Sequence, residues 1–140
     1  MRICIDSCVF IHGLAHRDLA AVRLLDLVGP DLVLIVPRLV AQEVTRNLQN
    51  SEQIRRFYRL FRQGASAFIV DEPTPRHLVD EYTRKGLPEK ADAFIGAFAE
   101  WMQARYLISD NRHFLRELET TAYKVMAAAE FLALWETDAA

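Results

Sequence analysis

The chain of 140 residues has the length of one compact domain. With 51% hydrophobic and 26% charged residues, its composition excludes a disordered, collagen-like or low-complexity protein. We therefore expect a single domain over residues 1–140. Seventeen Lys and Arg against nineteen Asp and Glu give a formal net charge of −2, so any contact with nucleic acid must come from a local basic patch.

Cysteine content and hydropathy indicate the cellular compartment in which we expect the protein. Two cysteines in a chain without a recognisable secretory leader predict reduced thiols in a cytoplasmic protein. No uninterrupted apolar run reaches the ~20 residues that a membrane-spanning helix needs, so we expect no membrane partner.

Five short apolar runs, rich in β-branched or aromatic residues, predict buried strands. The runs are RICI at 2–5, VLIV at 33–36, FIV at 68–70, YLI at 106–108 and YKV at 123–125. Segments with helical periodicity separate them, and a last helix is expected over residues 127–135. Strands that alternate with helices predict a three-layer α/β/α fold around a mainly parallel five-stranded sheet.

Prolines and glycines predict some of the helix boundaries. Pro37 suits the first turn of the helix after the second strand. Thr74 and Pro75 fit the N-cap and first residue of a later helix, Gly86 fits its end, and Pro88 fits the start of the next helix.

Two aspartates follow strands directly. Asp6 comes after the first strand and Asp110 after the fourth. Ligands of parallel α/β sheets collect at the carboxyl ends of strands, so both are candidate site residues. Each is equally well explained as a helix N-cap.

Two further acids lie on predicted helices. Asp92 shares a helix face with Ile95, Gly96 and Ala99, and a carboxylate that faces a core needs a partner; the alternative is a favourable charge near a helix N-terminus. Glu43 lies ~9 Å along the helix that follows Pro37, near enough to the strand ends to lean over them. Taken alone, a helical Glu is usually solvated.

Converging carboxylates require a counter-charge. Two of them ~4 Å apart repel by about 4 kcal/mol at an effective dielectric constant near 20. If the four acids meet, a divalent cation resolves the repulsion. An all-oxygen donor set selects Mg²⁺ or Mn²⁺, which activate water and stabilise the leaving oxygen of a phosphodiester.

Four motifs in order resemble the PIN-domain ribonuclease family, whose small bacterial members include the VapC-type toxins of toxin–antitoxin pairs. They are IDSCVFI at 5–11, PRLVAQEV at 37–44, KADAFIGAFA at 90–99 and LISDNRHF at 107–114. The resemblance extends through the closing segment YKVMAAAEFLALW to essentially the whole chain. It implies a metal-dependent endoribonuclease with an RNA substrate and a cognate antitoxin. We also expect a homodimer.

The resemblance also implies roles for individual residues. The family's acidic positions match Asp6, Glu43, Asp92 and Asp110, which would be catalytic, and Mg²⁺ or Mn²⁺ would be held by Asp6, Asp92 and Asp110. Supporting positions match Ser7, which follows the first Asp, and Ser109, which precedes the last. Asn111 follows Asp110 without a charge of its own, which leaves a further carboxylate ligand unassigned.

A transition-metal site is the competing chemistry. Cys4, Cys8, His12 and His16 recur every four residues, a spacing that can share a metal on a helix. Gly13 weakens helical continuity between the two histidines, and buried thiols with surface histidines explain the same residues more simply.

The segment IRRFYRLFR at 54–62 predicts an amphipathic helix. Arg55, Arg59 and Arg62 share one stripe, which we expect to contact RNA phosphates beside the acidic site. The alternatives are a solvated face, or a helix whose apolar side docks a partner helix or a second subunit.

Three functions remain open at this point. The first is a Mg²⁺-dependent endoribonuclease that cleaves single-stranded RNA. The second is a PIN-like binding or assembly module with little turnover, and the third is a hydrolase of another phosphoester, because a metal site alone does not choose its substrate. The four intact acids favour the nuclease.

Overall fold

The computed structural model describes residues 1–62, 64, 66–87, 90–111 and 113–139. Five strands form one sheet, and every pairing in it is parallel. They are β1 (Arg2–Ile5), β2 (Val33–Pro37), β3 (Ala67–Val70), β4 (Tyr106–Ile108) and β5 (Lys124–Met126). The strand order is β3-β2-β1-β4-β5, which confirms the predicted α/β architecture and places β1 at the centre.

Helices connect the strands and cover both faces of the sheet. They are α1 (Ser7–Leu14), α2 (Leu19–Asp26), α3 (Arg38–Asn47), α4 (Ser51–Arg62), α5 (Arg76–Arg84), α6 (Lys90–Trp101) and α7 (Ala128–Ala139), and a π-helical turn spans His113–Glu117. The chain runs from β1 to β3 in one direction and then crosses back to β4. Right-handed crossovers therefore place α1 to α4 on one face and α5 and α6 on the other.

The sheet is the centre of the hydrophobic core. Ile3 and Ile5 of β1 are fully buried, because the central strand is covered on both faces. Within the described ranges, no helix is long and apolar enough to cross a membrane.

A close contact fixes α6 against α5. Gly96 leaves room for the ring of Tyr82, whose Cδ2 atom lies 2.8 Å from where a Cβ on residue 96 would sit. Tyr123 stacks on Tyr82 with ring centroids 6.3 Å apart and donates its hydroxyl to the Gly96 carbonyl at 2.9 Å. Because α6 also carries Asp92, this packing positions a candidate site residue.

The helix boundaries agree with the sequence in part. Gly86, with φ of +100°, follows the end of α5 as predicted. The prediction that Thr74 caps this helix is wrong. α5 begins at Arg76 and Pro75 takes the N-cap position in an extended conformation, while the buried Thr74 hydroxyl makes no hydrogen bond among the described residues. Pro88, predicted to start α6, lies outside the described residues.

Two elements carry no clear signal in the sequence. α1 has the sequence SCVFIHGL, and its less buried side carries Cys8 and Ile11 beside His12, so it lacks the polar face that marks helical periodicity. The π-helical turn of five residues is anchored by the buried Phe114 and is too short to show a period.

Candidate active site and metal centre

The carboxyl ends of β1 and β4 bring two polar residues together. Ile5 pairs with Ile108 in the parallel register, and the Asp6 N–H donates to the Ile108 carbonyl at 2.9 Å. Asp6 and Ser109, the next residues of the two strands, therefore lie side by side at one edge of the sheet.

Asp6 is only 6% exposed, and one nitrogen donor and one oxygen donor hold its carboxylate. The Ser7 N–H donates to Oδ1 at 2.8 Å, and the Ser109 hydroxyl donates to Oδ2 at 2.9 Å. Asp6 is also the N-cap of α1, so the capping role and the site position coincide in one residue.

The pKa of the Asp6 carboxyl reflects the groups around it. Burial raises the pKa of its carboxyl above the ordinary value, the hydrogen bonds from Ser109 and Ser7 lower that pKa, and the negative charges of Asp92 and Glu43 raise it further. Asp92 and Glu43 are therefore within electrostatic range of Asp6, so three of the four predicted acids share one region.

Asp92 is the second buried carboxylate of the site, in the first turn of α6 and 7% exposed. Asn111 donates its side-chain amide to Asp92 Oδ1 at 3.4 Å, and the Asn111 N–H donates to Ser109 Oγ at 2.9 Å. A path of hydrogen bonds thus runs from Asp92 through Asn111 and Ser109 to Asp6.

Asp110 lies at the rim. Its side chain is 36% exposed, and its Oδ2 atom is 3.8 Å from Nδ1 of His12 on α1. The neighbouring Cys8 has its Sγ atom 3.8 Å from Asp6 Oδ2, and burial together with nearby carboxylates raises the pKa of that thiol to about 11. The sequence pattern offered Cys8 and His12 only as members of a competing metal site and gave no signal that they border this one.

The four-residue Cys and His set does not assemble. Cys4 is buried in β1, where burial raises the pKa of its thiol, whereas His16 follows α1 and contacts Arg56 on α4. Across the described part of the chain, no three His, Cys, Asp or Glu side chains are already arranged to hold a metal ion. The acidic site has two buried aspartates at its centre, with Glu43 and Asp110 around them.

The donor chemistry of this site fits a hard divalent cation. Its carboxylates and its flanking hydroxyl and amide groups offer oxygen ligands, the set that Mg²⁺ and Mn²⁺ prefer. Burial is the main cause of the raised pKa of Asp6, and the negative charges of Asp92 and Glu43 add to it; a bound cation would neutralise those like charges.

The predicted arginine stripe lies on α4. Arg55, Arg59 and Arg62 are all exposed, but Phe57 on the opposite side is fully buried and packs edge-on against Phe10 of α1, with centroids 5.5 Å apart. Phe57 therefore belongs to the protein's own core, and this part of the apolar side of α4 is not open to a partner helix.

A cavity of about 430 Å³ lies between α1, α2 and α4. Its lining includes Leu14, Leu25 and Leu60 together with Arg56 and Arg59. Leu14 ends α1, ~10 Å along the helix axis from the end beside Asp6. The stripe therefore extends away from the acids, toward the opposite edge of the sheet, rather than lying beside them as predicted.

Comparison with protein families identifies the chain. The model of the PIN domain family matches residues 3–119, so the chain belongs to the PIN domain family. Members of this family are in general nucleases. No curated protein sequence is significantly similar to the chain.

Solved structures share the fold at low sequence identity. VapBC2 from Rickettsia felis, bound to a DNA fragment from its promoter, has a TM-score of 0.60 at 13% identity and covers 89% of this chain and 97% of that one. A toxin–antitoxin complex from Klebsiella pneumoniae has a TM-score of 0.58 at 17% identity, and the match covers 87% of this chain and 98% of that one. FitAcB from Neisseria gonorrhoeae has a TM-score of 0.58 at 16% identity, and the match covers 91% of this chain and 98% of that one.

Proposed function

We propose that this protein is a Mg²⁺- or Mn²⁺-dependent endoribonuclease and the toxin of a toxin–antitoxin pair. In this proposal residues 1–140 act as one cytoplasmic domain. The observation that carries it is the pair of buried carboxylates, Asp6 and Asp92, linked by hydrogen bonds at the carboxyl edge of a PIN-family sheet. Buried charges of one sign are costly, and a cation is the simplest compensation.

The metal would be held by Asp6 and Asp92, with Asp110 closing the site from the rim. Ser109 and Ser7 hold the Asp6 carboxylate by its two oxygens, so that its orientation is set before a cation arrives. The bound ion would lower the pKa of a water molecule and stabilise the leaving oxygen of the phosphodiester.

Glu43 is the proton acceptor in this proposal. It is half-buried on α3 and within electrostatic range of Asp6, and a carboxylate so placed can act as the general base that removes a proton from the attacking water. The exposed Arg55, Arg59 and Arg62 would bind RNA phosphates, and their span of ~10 Å along α4 fits an extended strand of RNA.

The proposed antitoxin partner rests on the names of the structural neighbours, which include toxin–antitoxin complexes. The cavity between α1, α2 and α4 suits it: apolar side chains line much of it, and Arg56 and Arg59 stand at its wall together with His16 and Asp26. A partner segment with apolar anchors and acidic flanks would complement that lining.

The homodimer is also part of this proposal. Phe68 on the edge strand β3 is 44% exposed and, with Val33, Ile35 and Val70, lines a second cavity of about 870 Å³ on the sheet. A second copy would cover this apolar surface. Phe68→Glu should shift the protein toward monomer in sedimentation experiments, whereas Leu19→Glu, at a leucine that is 73% exposed, should not.

Cleavage of single-stranded RNA tests the main proposal. The purified protein should cleave RNA with Mg²⁺ or Mn²⁺, lose the activity in EDTA and regain it when either ion is returned in excess. A tightly held stoichiometric Zn²⁺ that is lost on changing Cys8 and His12 would instead support the competing metal site.

A further inference from the structure

Asn111 has a fixed orientation between the two buried aspartates. Its Oδ1 atom accepts the N–H of His113 at 2.9 Å, and its own N–H donates to Ser109 Oγ at 2.9 Å. Because a backbone donor engages Asn111 Oδ1, the NH₂ group is the end of the amide that faces Asp92. Its nitrogen lies 3.4 Å from the Oδ1 atom of Asp92.

The π-helical turn holds Asn111 in this place. Phe114 and Leu115 donate their N–H groups to the Asn111 carbonyl at 3.1 and 3.0 Å, and the Phe114 side chain is buried. His113 also contacts Glu117 within the turn, with Nδ1 and Oε2 2.6 Å apart. The amide therefore meets Asp92 from a hydrogen-bonded turn with a buried anchor.

An aspartate at position 111 would fit the same network with one change. One of its oxygens would accept the His113 N–H as Oδ1 does now, and the other would replace the NH₂ group that faces Asp92. The donor that now faces Asp92 would be replaced by an oxygen of a third carboxylate beside the buried pair. The existing carboxylate of Asp110 does not fill that place, since it is 36% exposed and turned toward His12.

We propose that Asn111 is the positioning residue that sets the cation affinity of this site, because it donates to Asp92 at the point where a third carboxylate would otherwise face the ion. The amide offsets the charge of Asp92 in the metal-free protein and leaves the site with one negative charge fewer for a cation. Ligand charge is a main determinant of affinity for hard divalent ions, so the native residue keeps the affinity low.

This inference rests on the proposed metal site, and Mn²⁺ binding measured by calorimetry tests it without reference to RNA cleavage. Asn111→Asp should bind Mn²⁺ at least about 10-fold more tightly than the native protein. Its metal-free form should melt at a lower temperature than the native protein, and excess Mn²⁺ should remove that difference. Asn50→Asp, at an exposed helix cap that aspartate serves equally well, is the matched control and should change the affinity less than 2-fold.

An exchange variant separates position from charge. Asp110→Asn combined with Asn111→Asp keeps the net charge and moves the carboxylate by one residue, and it should bind Mn²⁺ more tightly than the native protein. Weaker binding by the exchange variant, or unchanged affinity in Asn111→Asp, would overturn this proposal while leaving the metal site in place. If neither the native protein nor Asn111→Asp binds Mn²⁺, the metal site fails, and with it both this proposal and the proposed function.

Discussion

Ser109 donates its hydroxyl to Asp6 Oδ2 across 2.9 Å, which joins residues 103 positions apart in the chain. The bond connects the ends of two adjacent parallel strands, and it opposes the effect of burial because it lowers the pKa of a carboxyl that burial raises. The hydrogen bonding and the pKa of the Asp6 carboxyl therefore depend on the pairing of β1 with β4.

Ser109→Ala should destabilise the protein by about 1–3 kcal/mol at pH 7, since a buried charged acceptor loses a donor. The loss should shrink as the pH falls toward 4, where the Asp6 carboxyl is increasingly protonated. Urea unfolding of both proteins at the two pH values measures this. An equal loss at both would show that the bond does not act on a charged Asp6.

Asp6→Asn should stabilise the metal-free protein at pH 7, because it removes a carboxylate whose pKa is raised in the folded state. For such a group the folded state binds more protons than the unfolded state. Its contribution to stability is therefore fully present below the unfolded pKa and is lost as the pH rises through the folded pKa.

The advantage of the variant should accordingly disappear as the pH falls through the raised pKa of Asp6 to its ordinary value of 3.8. Thermal melts from pH 4 to 8 in EDTA give the comparison. A constant difference between the proteins across this range would contradict the raised pKa.

Gly96→Ala should lower the stability by about 1–3 kcal/mol, although alanine favours helices more than glycine does. The new Cβ would lie 2.8 Å from Tyr82 Cδ2 and 3.2 Å from both Leu87 Cδ1 and the Tyr123 hydroxyl oxygen. Gly29→Ala is the control, since its nearest neighbour would be 3.8 Å away. Equal melting temperatures for the two variants would show that α6 is not packed this closely.

The sequence predicts the sheet well because its strands are short, apolar and separated by periodic helices. It also identifies Asp6, Asp92 and Glu43 as candidate acids, and the structure brings these three into one region, since their positions relative to strand ends and helix starts follow from topology. It does not predict that Asp110 turns outward while Asn111 turns toward Asp92. These two orientations depend on the π-helical turn, where the His113 N–H donates to Asn111 Oδ1. No periodic pattern in the sequence marks such a turn.

The triple variant Arg55→Gln, Arg59→Gln and Arg62→Gln should weaken RNA binding and reduce the slope of log affinity against log salt by about 2, or about 0.7 for each lost phosphate contact. Mn²⁺ binding should be unchanged, because the three side chains lie on α4 and extend away from the acids. Titration of single-stranded RNA at several salt concentrations gives the slope.

A charge-matched control uses three exposed arginines elsewhere in the chain, Arg76, Arg84 and Arg116, each changed to Gln. It should leave the salt slope close to that of the native protein. If the α4 variant keeps the native slope and instead loses binding to an antitoxin, the stripe contacts protein and not RNA.

The most direct test of the account is the rate at which Asp6→Asn and Asp92→Asn cleave single-stranded RNA in saturating Mn²⁺, with Asp80→Asn as an exposed control. Both site variants should keep a cooperative thermal transition and lose at least about 100-fold in rate, while the control keeps the native rate. Cleavage at the native rate by either folded site variant would contradict a metal-dependent nuclease built on this pair of aspartates.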